Sequence, residues 1–390
     1  MICLIPNIGS TSFKYRLVDM QETERVLAQG RMERIGQPGG KFADFTAAID
    51  RCIAEIAGPG KAIANLNRVE AVGFKVVHAG PLNATQIIDD RFLNAMEEFS
   101  FFAAAHNPAY VAAIKAFRRA LPGTPLVAVI ETAPYRQMDE SATTYAVPYT
   151  WREQHGIRRY GFHGASHRSA SQRVREVMPG DRVRHISCHL GGSSSVAAFA
   201  DGVAVDTSFG TSPQSGLPQS NRVGDIDAFA VLYMMKKLNL DPDQMAAVLC
   251  SQSGLAGIGG GSGDIRDLED EAQRGDKRAR LALDVFVRAI RHYLGAFMVS
   301  LGGVDAISFS GGIGENSAAI RKAVLRDLAA FGIELDEDKN RDQRGEGTIS
   351  SEDSQVRVMV IPANEEAIIA RETVAAVERT RTSVALVAQT

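Results

Sequence analysis

The feature that most constrains this chain is a strand, turn, strand device that occurs twice. Residues 2–8 form a short apolar run closed by Gly9-Ser10-Thr11-Ser12, after which Phe13, Tyr15 and Leu17 alternate with Lys14 and Arg16. That pattern predicts a strand, a tight polar turn and a second strand. Residues 183–190 read the same way, closed by Gly191-Gly192-Ser193-Ser194-Ser195 and followed by a second strand over 196–200. One such turn is an ordinary hairpin loop; two, each heading a half-chain, point to two halves built alike around a shared ligand. The 390-residue length agrees, since it exceeds what one hydrophobic core usually organises.

Strand-to-helix crossovers dominate the second half, so the fold class is α/β. Residues 276–301 place Ala282, Phe286, Ala289, Ile290, Tyr293 and Phe297 on one helical face and end at Gly302-Gly303. A buried strand is expected over 304–309, then a sharp turn at Gly311-Gly312-Ile313-Gly314. A helix capped by Asn316 or Ser317 follows, with Ile320, Val324, Leu328 and Phe331 as its apolar face. A last strand over 356–361 leads through Pro362-Ala363 into a helix starting near Asn364. Pro134 and Pro148 mark a boundary near residues 135–150, giving domains 1–147 and 148–366, with a helix over 367–390 expected to pack back on the first.

Composition removes several function classes. With 43 Lys+Arg against 46 Asp+Glu the net charge is -3, against a nucleic-acid partner and for a small-molecule one. The start has no basic stretch before an apolar run, and no apolar segment reaches about 18 residues, so a cytoplasmic location without a membrane partner is expected. Cys3, Cys52, Cys188 and Cys250 lack CxxC spacing and read as free buried thiols.

Backbone N–H groups at glycine turns and helix N-termini bind phosphate, because they are donors without partners and glycine lets a ligand come close. Three such loops occur, at 9–12, 191–195 and 311–316, and together they would hold a nucleotide if the halves face each other. Lys14, just inside the second strand, suits a phosphate as a point charge. His163 and His167 have the i,i+4 spacing of a zinc pair, but no third ligand has sensible spacing. The rival for His163, in Tyr160-Gly-Phe-His-Gly, is a donor to a transferring phosphoryl group, and the plainest reading is a satisfied core histidine.

Nearly the whole chain then falls into an ordered set. Asn7 to Lys14, Val76-Val77-His78, His106-Asn107-Pro108, Arg159 to Gly164, Cys188 to Gly191, Arg222 in Asn-Arg-Val-Gly-Asp-Ile-Asp, Asp264 to Asp267, Gly312 to Ser317 and Ile361 to Glu366 resemble the acetate kinase family in the same order. The resemblance implies the actin-like/sugar-kinase ATPase fold, two similar domains closing on a nucleotide. It also implies reversible transfer of the ATP γ-phosphoryl group to a short-chain carboxylate, with Mg²⁺ and a homodimer. Carried over residue by residue, it sets Asn7 and Glu365 around Mg²⁺, and makes Lys14 with His189, Leu190, Gly191, Gly192 and Ser193 the phosphate cradle. Asp264, Ile265 and Arg266, with Gly312, Ile313, Gly314, Glu315 and Asn316, would hold the adenosine. His163 and Arg222 would stabilise the phosphoryl group in flight. A carboxylate nucleophile is already ionised and needs no base, so Glu131 is expected to orient groups or organise the metal.

The departures fall on the acyl side. Where the family has an arginine clamp this chain has Lys75, and its active-site aspartate is Glu131. A loop asparagine is replaced by Gly192, and Met-Met-Gly-Thr by Pro218-Gln219-Ser220-Asn221. The acyl pocket corresponds to Val77, Ala105, Phe162 and Pro213. Ala105 stands where leucine is usual, which would admit an acid bulkier than acetate. Two other readings keep the fold: another donor or acceptor, such as pyrophosphate or a larger acid, and a nucleotide-binding relative that has lost transfer.

Overall fold

In the computed structural model the described residues are 1–9, 11–22, 24–104, 106–180 and 182–387. The chain divides into two compact units, Met1–Arg136 with Asn364–Thr390, and Gln137–Ala363. The first division falls inside the 135–150 stretch but before Pro148. Residues 143–145 explain this, because Arg159 N donates to Thr143 O at 2.8 Å and Thr211 N to the Tyr145 hydroxyl at 3.0 Å. These bonds tie the segment into the second unit.

The first unit is built on strands β1 (Ile2–Ile8), β2 (Phe13–Asp19), β3 (Arg25–Met32), β4 (Ala71–Val76), β5 (Gln86–Ile87) and β6 (Leu126–Ile130), ordered β3-β2-β1-β4-β6-β5. The second uses β7 (Arg184–Leu190), β8 (Ser194–Ala200), β9 (Val203–Thr207), β10 (Ala306–Ser310), β11 (Gly347–Thr348) and β12 (Arg357–Val360), ordered β11-β12-β10-β7-β8-β9. Strand for strand the two orders are the same. Each sheet has an antiparallel hairpin, β1–β2 or β7–β8, whose first strand pairs in parallel with a crossover strand, β4 or β10. The doubled device in the sequence is therefore a doubled sheet.

Side-chain alternation divides each sheet between two helical layers. In β1, Ile2, Leu4 and Ile8 join one core, while Cys3 and Ile5 join another with Ile369, Ala370, Ala376 and Val377 of the helix Glu365–Val387. Gly73 lets that helix settle on β4, because a Cβ there would collide with the Thr373 side chain. In the second unit the helix Lys277–Ser300, capped by Asp276, buries Ala282, Phe286, Ile290 and Phe297 against Ile186, Cys188 and Leu190. Truncating a buried phenylalanine such as Phe286 costs about 3–5 kcal/mol. The opposite face of β7 carries His185, Ser187 and His189, and the helix Gly164–Val177 lies over it with Ala170 and Val174 at its apolar end.

Three local expectations need correction. Gly311–Asn316 is a short helix rather than a bare turn, with Ser317 capping the next helix, Ala318–Leu325. Phe331 is 57% exposed, because the chain leaves that helix before reaching it. Cys3, Cys52 and Cys188 are free and buried, whereas Cys250 is only partly buried and its sulfur accepts from Gln214 Nε2. Among the described residues no helix is long and apolar enough to cross a membrane.

Candidate active site

In the second unit the polar turn between β7 and β8 organises a group of donors. Ser193 and Ser195 are two residues apart, as are side chains on one face of a strand. Ser195 Oγ lies 2.8 Å from His163 Nδ1, and Ser193 Oγ lies 3.4 Å from an Arg222 guanidinium nitrogen. Ser194 bonds back into the turn, donating to Gly191 O at 2.9 Å and accepting from Gly191 N at 3.1 Å. The turn thus holds both His163 and Arg222 beside Gly191 and Gly192. His163 has a left-handed backbone, φ 55°, at the N-cap of Gly164–Val177, and its ring centroid is 4.3 Å from that of His189 and 5.2 Å from Phe209. His189 Nδ1 is 2.7 Å from Ser166 Oγ. Burial pulls the Arg222 guanidinium below its usual value.

Gln219, fully buried, is the brace that sequence reasoning missed. Its amide nitrogen donates to Pro213 O at 2.7 Å, and its amide oxygen accepts from Ser193 Oγ at 2.6 Å and from Arg222 at 3.3 Å. The signal was present, since Gln219 sits in the four residues that replace the family's apolar pair.

A cavity of about 930 Å³ opens beside this turn. Gly191, Gly192, Asp264, Ile265, Arg266, Gly312, Ile313 and Asn316 line it, together with residues the sequence did not single out, among them Ser220, Asn221, Glu269 and Ser317. Leu190, Gly314 and Glu315 are not among the residues that line it. Gly311, φ 79°, has no room for a side chain, because a Cβ would lie 2.6 Å from Leu190 O. Glu315 accepts from Gly311 N at 2.9 Å and Ala363 N at 3.1 Å, so it braces two turns. Arg321, also missed, is 1% exposed and donates to Gly314 O and Glu315 O at 2.9 Å each and to Asn340. Burial pulls it down to about 10. Asp264 caps the helix Ile265–Gln273 and pairs with the Arg266 guanidinium at 2.6 Å, which holds its carboxyl down at about 2.

The first unit presents a different chemistry. Lys75, on β4, lies 2.6 Å from Glu365 Oε2 and 4.0 Å from Glu131 Oε1. Burial pushes the Lys75 ammonium down, but the two carboxylates outweigh it and hold the group charged. Tyr110, 2% exposed, accepts from Ile8 N at 3.3 Å, and burial pushes its hydroxyl up to about 12, with Lys75 opposing. Nothing in the spacing marked Tyr110, which is brought to Lys75 by the helix Asn107–Ala120 packing on the sheet. Asn7, next to last in β1, lies opposite Lys14 in the hairpin register, and the Lys14 side chain is exposed. The C-terminal helix delivers Glu365 at its first residue. Two carboxylates thus share one ammonium, and carboxylate oxygens are the donors that suit a hard, hydrated cation such as Mg²⁺. Of the acyl-side residues, Val77 is buried in this unit, Phe162 and Pro213 are buried in the other, with the Phe162 ring 5.5 Å from Phe209, and Ala105 lies outside the described residues.

Twin α/β sheets of matching order, a glycine turn carrying a histidine and an arginine, and a large cavity beside that turn define a phosphotransferase of the actin-like/sugar-kinase ATPase type. The sequence profile of the Acetokinase family matches residues 2–371. The acetate kinase of Shouchella clausii is 42% identical over 94% of this chain and 97% of its own. Among solved structures, Porphyromonas gingivalis acetate kinase superposes with a TM-score of 0.86 at 34% identity, covering 96% of this chain and 99% of its own. A propionate kinase from Francisella tularensis superposes with a TM-score of 0.86 at 32% identity, covering 95% and 98%. The chain belongs to the Acetokinase family, whose members are carboxylate phosphotransferases.

Proposed function

We propose that this chain transfers the γ-phosphoryl group of ATP, reversibly, to a short-chain carboxylate of the size of acetate or propionate. The observation that carries this reading is the β7–β8 turn, which holds His163 through Ser195 and Arg222 through Ser193 beside Gly191 and Gly192. In the reaction a carboxylate oxygen bonds to the γ-phosphorus as the bond to the ADP oxygen breaks, and no proton need move. Charge spreads over the equatorial phosphoryl oxygens, and fixed donors aimed at them lower the barrier. We assign that work to His163 and Arg222. The glycines and the segments 264–266 and 312–316 hold the nucleotide.

Within the first unit, Lys75 keeps Glu131 and Glu365 together and supplies the positive charge toward which a substrate carboxylate is drawn. Glu365 and Asn7 would hold Mg²⁺, with Glu131 orienting. The metal, when bound, neutralises phosphate charge. Homodimer formation is supported by exposed apolar residues along the helix Ala228–Leu238, where Phe229 is 79% exposed and Leu232, Tyr233 and Leu238 lie open with Ile226. Light scattering on the wild type and Phe229→Glu tests this: a dimer that becomes a monomer is expected.

The assigned roles are tested by incubating purified protein with ATP, Mg²⁺, a panel of acids and hydroxylamine, which traps acyl phosphates. His163→Ala and Arg222→Ala should each lower turnover about 10²-fold or more with ATP binding nearly unchanged. Retention of most of the turnover by either variant would refute its role.

A further inference from the structure

His163 is the first of four side chains joined end to end. Its Nδ1 lies 2.8 Å from Ser195 Oγ; Ser195 Oγ lies 2.7 Å from His167 Nε2; and His167 Nδ1 lies 2.9 Å from Ser187 Oγ. The fold brings them together in a simple way. One helical turn separates His163 from His167, with His167 N bonded to His163 O at 2.9 Å, and the two serines stand on the neighbouring strands β7 and β8 beneath that turn. The i,i+4 spacing that raised a zinc pair thus serves another purpose, since both ring nitrogens of His167 are hydrogen-bonded to serine hydroxyls.

We propose that Ser187, His167 and Ser195 form a directional hydrogen-bond relay that fixes His163 as the tautomer carrying its proton on Nε2, so that all three act as positioning residues for phosphoryl transfer. The proposal rests on the reading of His163 as a donor to the transferred phosphoryl group.

The direction follows from counting protons. A serine hydroxyl has one proton. Ser195 therefore donates to one of the two ring nitrogens beside it and accepts from the other, and His163 Nδ1 and His167 Nε2 hold opposite protonation states. His167 is 0% exposed, and burial, with His189 and His185 nearby, holds it well below the ordinary histidine value. It is neutral and carries one N–H. If that proton sat on Nδ1, it would point at Ser187 Oγ, and the Ser187 proton would need an acceptor of its own. Ser187 is 0% exposed, and among the described residues its hydroxyl has no hydrogen-bond partner besides His167. A buried donor aimed at nothing is penalised.

In the opposite direction every proton finds an acceptor. The Ser187 hydroxyl donates to His167 Nδ1, His167 Nε2–H donates to Ser195 Oγ, and the Ser195 hydroxyl donates to His163 Nδ1. A neutral His163 then carries its proton on Nε2, the form that can donate to a phosphoryl oxygen. The relay thus carries an instruction from a buried serine in the sheet to the ring proposed to touch the transferred group.

Two-bond ¹H–¹⁵N correlation spectra of the wild-type protein, labelled with ¹⁵N-histidine and recorded on the neutral ring, read the tautomer directly. Nε2–H on both His163 and His167 is expected. A proton on Nδ1 of either ring overturns the relay, whatever the activity. In kinetics, Ser195→Ala should lower kcat about 10-fold or more while KM for ATP changes by less than about 2-fold. Ser195→Thr, which keeps the hydroxyl, should recover most of the loss. His167→Gln, whose amide nitrogen can donate as Nε2 does, should retain more kcat than His167→Leu. An unchanged kcat in Ser195→Ala overturns the positioning role. If Ser195→Ala does not fold, the wild-type spectrum alone decides. Turnover retained by His163→Ala would refute the role of His163 itself, and the spectrum would still report whether the relay exists.

Discussion

Removing the Gln219 side chain should separate the packing of the arginine loop from the chemistry assigned to it. Gln219→Ala deletes three hydrogen bonds, to Pro213 O at 2.7 Å, from Ser193 Oγ at 2.6 Å and from Arg222 at 3.3 Å, in a fully buried position. Two are short and neutral, worth about 1 kcal/mol each, and the third is charge-assisted but long, so about 2–4 kcal/mol is at stake. For a unit of this size that lowers Tm by about 4–16 °C. The greater effect should be on turnover. Without the amide oxygen, Arg222 keeps only the 3.4 Å contact to Ser193 among these partners, and Ser193 itself loses its acceptor. A donor that must be found anew in each transition state is worth less than one already aimed, and kcat should fall about 10-fold or more with little change in KM for ATP. Gln219→Met refills the volume without the hydrogen bonds, so it should recover part of the Tm and none of the kcat. The assays are thermal unfolding and acyl hydroxamate formation. A Gln219→Ala protein with wild-type kcat, or a Gln219→Met protein that regains it, would show that the amide does not position Arg222.

Neighbouring glycines should respond differently: Gly311→Ala, at φ 79° with Leu190 O in the way, should cost about 1–3 kcal/mol in urea unfolding. Gly312→Ala, with open space at its Cβ, should keep stability and raise KM for ATP, and equal stability losses would refute the contrast. Glu365→Gln should raise the Mg²⁺ needed for half-maximal activity, since a carboxylate on a shared cation site becomes an amide; an unchanged metal titration refutes its role. Burial pushes His185 down to about 3, far below its unfolded value, so the folded state holds it neutral while the unfolded state takes up a proton. The stability this confers is fully present above about pH 6.5 and is lost as the pH falls toward 3, about 2 kcal/mol from His185 between pH 6.5 and 5. His185→Gln should flatten that acid limb, and a limb as steep as the wild type's would refute the assignment.

The twofold device at 2–19 and 183–200 was legible because hairpins are local. Strand alternation and a glycine-hydroxyl turn lie within about twenty residues, and both halves carry them. The strands over 304–309 and 356–361, the helix over 276–301 and a cap at Asn316 or Ser317 were legible for the same reason, and the motif order alone identified the family. Glycine loops and His163 could be named as candidates because their chemistry is written in residue type. What joined them was decided only by the tertiary structure. Ser193, Ser194 and Ser195 look alike in sequence, yet the pleat sends the middle one back into its own turn while its neighbours hold His163 and Arg222. Gln219 and Arg321 braced the site from burial, and burial is a property of the finished packing. The join between Lys75 and Glu365, 290 positions apart in the chain, exists because the C-terminal helix returns to the first sheet. The sequence by itself determined the elements and the reaction class, since periodicity and side-chain chemistry act over short range. Which nitrogen faces which hydroxyl was left to the fold, because a hydrogen bond depends on tenths of an ångström between residues that are neighbours only in space.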